Sequence, residues 1–140
     1  MTELPPPAGQ KPLHPDGWAP PRGYSHGVVS AGRQVILAGQ VGWNPRTAEV
    51  ESDDLVAQVR QALENVVTLL AEAGALPRHL VRLTWYITDR VAYLGSQREI
   101  GAAYREIIGT HYPPMAVIVV SALVEIRAKV EIEATAIIPE

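Results

Sequence analysis

From Ser52 the apolar positions of this 140-residue chain recur at helical spacing. In SDDLVAQVRQALENVVTLLAEAG, Leu55, Val59, Leu63, Val66, Val67 and Leu70 share one stripe, which predicts a long amphipathic helix. Ser52 is the candidate N-cap, Asp53 and Asp54 suit the positive end of the helix dipole, and Gly74 marks the stop. A second helix is expected in SQREIGAAYREIIG, opened by a Ser96/Glu99 capping box and buried along Ile100, Tyr104, Ile107 and Ile108.

Elsewhere the period is two. GVVSAGRQVILAGQVGW contains two β-branched runs about Gly32 and predicts a hairpin turning at Ala31–Gln34. LVRLTWYITD, residues 80–89, predicts a strand, as do residues 115–121 and 128–138. The element order is therefore ββαβαββ, an α+β sheet with two helices on one face. In the last strand Val130, Ile132, Ala134 and Ala136 alternate with Glu131, Glu133 and Thr135. If the small apolar side packs on the helices, the acidic side looks outward. Its neighbour, carrying Met115, Val117 and Val119, is apolar on both sides, so an oligomer that covers the outer face is expected.

Composition narrows the function. The hydrophobic fraction of 47% suffices for the core of one domain, expected over residues 23–140. Prolines 5–7, 12, 15, 20 and 21 mark residues 1–22 as an extended arm without regular structure. The arm has no apolar run of signal or membrane-spanning kind, so a cytoplasmic protein with no membrane partner is expected. There is no cysteine, and four scattered histidines show no metal-ligand spacing, so no metal site is expected. A net charge of −3 weighs against nucleic acid as a partner.

Several segments, taken in order, resemble the reactive intermediate deaminase (Rid, YjgF-like) family: RGYSHGVV, ILAGQVGWNPRTAEV, AQVRQALENVVTLLAEAGA, VRLTWYITD, YREIIGTHYPP and AKVEIEATAII. The resemblance covers the chain from about Gly23 onward. It implies a chorismate-mutase-like fold assembled as a homotrimer with clefts between subunits. It also implies hydrolysis of enamine and imine intermediates such as 2-aminoacrylate to a keto acid and ammonia, without a cofactor. The water-orienting glutamate of the family matches Glu131 and its cleft tyrosine matches Tyr24. Gly39, Ala116 and Trp85 fall in stretches that line the ligand. Where deaminating members carry an arginine this chain has Met115, and Gly101 replaces a frequent asparagine.

An imino acid presents a planar carboxylate beside an electrophilic C=N carbon. A site must grip the carboxylate, which an arginine fork does well, and deliver one water, which a carboxylate side chain can orient. Methionine offers an adaptable apolar surface and no donor. Arg127 in the loop before the last strand and His26 in RGYSHGVV are the alternative donors. Three functions follow: an imine or enamine deaminase of altered substrate preference, a non-catalytic small-ligand-binding trimer, and a ribonuclease or translation inhibitor. The acidic balance disfavours the last, and Glu131 favours the first over the second.

Overall fold

The computed structural model describes residues 9–140. Its helix α1 (Leu55–Glu72) buries Leu55, Val59, Ala62, Leu63, Val66 and Leu70, as the periodicity requires. The cap is Asp54 rather than Ser52: its carboxylate accepts the Ala57 N–H at 2.9 Å, while Ser52 Oγ accepts the Asp54 N–H at 3.1 Å. Both residue types cap well, and the shift of two positions turns Ser52 into the support of the cap. Gly74 follows the helix at φ +77°, the left-handed position that closes a helix C-terminus.

A four-stranded sheet carries the fold in the order β3-β8-β6-β7, with β3 at Arg33–Val41, β6 at Leu80–Ile87, β7 at Met115–Val119 and β8 at Val130–Ile138. β8 is antiparallel to both β3 and β6, while β7 is parallel to β6. The crossover from β6 to β7 holds α2 (Arg90–Gly95) and α3 (Gln97–Ile107). Ser96 does start α3, but no side-chain cap bond forms there, so the capping box of the pattern is not realised. α1 packs over β3 and β8, and α3 lies beside it. One core results, joining the α1 stripe and Ile100 and Tyr104 of α3 to Leu83, Trp85 and Ile87 of β6 and Val130, Ile132, Ala134 and Ala136 of β8. The other side of β8, with Glu131, Glu133 and Thr135, is open.

Two expectations near the N-terminus are corrected. β2 (Gly27–Ser30) does not form a hairpin with β3; it pairs antiparallel with β1 (Gln10–Leu13), inside the segment expected to lack regular structure. Pro12 stands opposite Val28 in this two-stranded ribbon, where an edge position tolerates its missing N–H. Residues 1–8 of the expected arm lie outside the described residues. The ββαβαββ order survives with additions: β1, the short pair β4 (Trp43–Asn44) and β5 (Glu49–Val50), and α2.

Candidate functional site

Glu131 sits mid-sheet on the open face, its strand held between β3 and β6. Beside it β3 is irregular between Leu37 and Gln40, and Gly39 lies in that break. A Cβ on Gly39 would stand 2.7 Å from both Cδ and Oε2 of Glu131, so the carboxylate rests on bare backbone. Glycine is the residue that makes this seat possible.

Tyr86 is a neighbour the motifs did not single out. It lies across from Glu131 on β6, and its hydroxyl donates to Glu133. That hydrogen bond, followed by burial and the charges of Glu133 and Glu131, holds the phenol proton more tightly than in free tyrosine. The signal was present in LTWYITD, since Tyr86 alternates out of phase with the core residues Trp85 and Ile87. The open face therefore presents two carboxylates and a phenol in adjacent register positions.

Met115 stands elsewhere. It opens β7 in register with Leu83, which places it on the helix side of the sheet, packed against the core. Ala116 aligns with Thr84 and so belongs to the Glu131 side. Tyr24 precedes a residue held at the start of β7: Ser25 bridges to Pro114, its N–H donating to the Pro113 carbonyl at 3.4 Å. The Tyr24 ring meets His26 edge-on at 5.5 Å, and His26 in turn stacks on His14 at 5.9 Å and meets Trp18 at 5.0 Å. Trp85 is only 3% exposed and lies in the core, with no partner for its Nε1–H among the described residues. The candidate residues thus fall into two groups within one chain, Glu131–Gly39 on the open face and Tyr24–Met115 at the β7 edge.

Arg127 serves neither group. Its guanidinium reaches Asp53 Oδ1 at 3.0 Å and donates to the Val50 carbonyl, pinning the β7–β8 loop to the start of α1. Gln58 completes that clasp, donating to Ser52 O at 2.8 Å and Arg127 O at 3.1 Å while accepting the Lys129 N–H at 2.8 Å. A cavity of about 420 Å³ opens nearby, lined by Asp53, Asp54, Asp89 and Lys129 among others. Its acids are occupied: Asp54 caps α1, Asp89 caps α2 and Asp53 holds Arg127. No three His, Asp or Glu side chains converge in a metal-holding cluster among the described residues. No helix among them is long and apolar enough to cross a membrane.

With this geometry in view, the family model described as Endoribonuclease L-PSP matches residues 16–138. The chain belongs to this family, that of the Rid proteins. Protein DfrA of Myxococcus xanthus is 36% identical over 115 residues, covering 81% of this chain and 84% of that protein. The 2-iminobutanoate/2-iminopropanoate deaminase of Escherichia coli K12 is 32% identical over 112 residues, 78% of this chain and 83% of the enzyme. Among solved structures, YyfB of Yersinia pestis, a Rid family protein of unknown function, aligns with a TM-score of 0.77 at 36% identity over 93% of this chain and 99% of its own. Imine deamination is therefore an activity found among the family relatives of this chain.

Proposed function

We propose that the chain is a hydrolytic deaminase of reactive enamine and imine intermediates, working as a homotrimer and preferring substrates other than 2-aminoacrylate. The observation that carries this reading is the seat of Glu131: a carboxylate fixed on a central strand, resting against the Gly39 backbone and open to solvent on its other side. In that position it draws a proton from water as the oxygen adds to the imine carbon, and the π pair moves to nitrogen. It then returns the proton to nitrogen. In the resulting carbinolamine the hydroxyl proton passes to nitrogen as the C–N bond breaks, so ammonia leaves, the C=O group forms, and imine and water become keto compound and ammonia. A positioned general base of this kind contributes about 10²–10⁴-fold.

Assembly supplies the rest of the cleft. Met115 and Tyr24 lie at the β7 edge of one copy, and Glu131 on the open face of another can meet them there. Apolar exposure supports such an interface: Ile36 is 73% exposed on the edge strand β3, and Val124 and Ile126 in the β7–β8 loop are 102% and 95% exposed. Met115 lacks a guanidinium, and a lost charge-assisted contact costs about 1.5–3 kcal/mol, or one to two orders of magnitude in transition-state affinity. Turnover of 2-aminoacrylate is therefore expected to be weak, with larger imino acids preferred. The net charge of −3 speaks against an RNA substrate despite the family's description.

The test generates imines in place with a dehydratase or an amino-acid oxidase and follows keto-acid release. Wild type is expected to accelerate hydrolysis of at least one imine, and Glu131→Gln to abolish that acceleration while the oligomer persists. Full activity in Glu131→Gln would overturn the role of the carboxylate. Binding of such ligands without acceleration would favour the non-catalytic trimer.

A further inference from the structure

The two acidic side chains on the open side of β8 lean away from each other. Glu131 rests its carboxylate toward β3, against the backbone of Gly39. Glu133 turns the other way, toward β6, where its Oε1 accepts the Tyr86 hydroxyl. In the β6–β8 ladder Tyr86 stands directly opposite Glu131, and Thr84 stands opposite Glu133. The hydrogen bond therefore runs along a diagonal of the ladder, a span that aromatic side chains reach. The phenol passes over the nearer acid and holds the farther one.

That choice matters for a carboxylate that must act on water. Two residues along a strand advance about 6.5 Å, a gap that two glutamate side chains on one face can close. Carboxylates that meet share a proton, and the one carrying it cannot take another from water. With Glu133 bonded to Tyr86, the two acids are kept on opposite sides of β8. The phenol retains its proton for this purpose, held first by the bond to Glu133, then by burial and by the charges of Glu133 and Glu131. Arg82, opposite Thr135 on β6, pulls the other way and more weakly. On the remaining strands of the sheet, β7 carries no charged residue, and β3 carries only Arg33, opposite Ile138 at its far end.

We propose that Tyr86 is a positioning residue: it holds Glu133 to the β6 side of β8 and so leaves Glu131 as the one uncommitted carboxylate of the reaction site. The proposal rests on the deaminase reading above and adds to it a residue that acts only through Glu133. Phenylalanine at position 86 keeps the ring but frees Glu133 to swing toward Glu131. Glutamine at position 133 still accepts the phenol through its amide oxygen, yet it cannot share a proton with Glu131. The second substitution therefore compensates for the first, which a purely packing role of Tyr86 would not allow.

Imine turnover by Tyr86→Phe, Glu133→Gln and the double variant, measured as kcat and KM across pH, tests this, with circular dichroism and sedimentation checking fold and assembly. Tyr86→Phe is expected to lower kcat about tenfold, leave KM within about twofold, and move the acid limb of the kcat profile to higher pH. Glu133→Gln alone is expected to stay within about twofold of wild type, and in the double variant to restore both kcat and the limb. A wild-type profile in Tyr86→Phe, or a loss that Glu133→Gln does not relieve, would overturn the positioning role and leave the deaminase reading intact. Carboxyl 13C spectra read the separation without turnover: the Glu131 signal is expected to titrate in one step in wild type and in two in Tyr86→Phe, and one step in both would overturn it. A wild type that hydrolyses no imine would overturn the deaminase reading, and the part of Tyr86 in catalysis with it.

Discussion

Replacing Gln58 with leucine is expected to cost about 2–3 kcal/mol, although the residue touches no candidate site. The side chain is 1% exposed and makes three hydrogen bonds that bind α1 to Ser52, Arg127 and Lys129. At about 1 kcal/mol net for each bond, their loss comes to about 3 kcal/mol, and stranding a buried partner adds to it. Leucine is of similar size, so little cavity forms, and its apolar burial returns about 1 kcal/mol. Urea denaturation at one fixed protein concentration reads the difference. With a slope of about 1–3 kcal/mol per molar for a domain of this size, the midpoint falls by about 0.7–3 M. Amide exchange adds a local reading: the Lys129 N–H, whose acceptor is Gln58 Oε1, should lose protection while the α3 amides keep theirs. Gln61→Leu is the control, because Gln61 makes a single bond to Asn65 within the same helix, and it should change stability by about 0.5 kcal/mol or less. A Gln58→Leu protein within 1 kcal/mol of wild type would refute the clasp.

Gly39→Ala should fold normally and lose about tenfold or more in imine turnover, since its Cβ must push the Glu131 carboxylate aside; wild-type kinetics would show that the seat has no role. His111 is held neutral, burial outweighing the bond from its Nε2 to the Leu80 carbonyl, so its folded pKa lies below the ordinary 6.5. The unfolded chain then binds the proton first, and stability that is complete above 6.5 declines as pH falls below it; His111→Gln should flatten that decline in denaturation midpoints measured between pH 7 and pH 5. Ile36→Lys on the exposed edge strand should dissociate the proposed trimer in sedimentation without unfolding the subunit, whereas a wild type already monomeric at micromolar concentration would remove the basis for the shared cleft.

Local patterns were legible in the sequence and pairings were not. α1, α3 and the acid-bearing side of β8 are set by periods of 3.6 and 2, which side chains along one element report directly. The partner of β2 is set by residues 10–13, where Pro12 suggested coil, because an edge ribbon hides its tolerance for proline. The separation of Met115 from Glu131 depends on β7 running parallel to β6 in register with Leu83, which no pattern within residues 115–119 encodes. Trp85, which the resemblance puts in a stretch lining the ligand, lies in the core in phase with Leu83 and Ile87. The seat of Glu131 needed both the Gly39 resemblance and the irregularity of β3 to appear.

The middle of the sheet is occupied by its last strand. β3 and β6 never touch in register; β8 stands between them and bonds to both. During synthesis, α1 and both flanking strands emerge with their apolar stripes uncovered and must wait for residues 130–138, which form the ladders that join β3 and β6 into one sheet. Chain growth at about 5–20 residues per second makes that an interval of several seconds for a nascent chain to stay soluble. A message stopped before Val130 would yield no shortened version of the domain, only two sheet halves with nothing to join them.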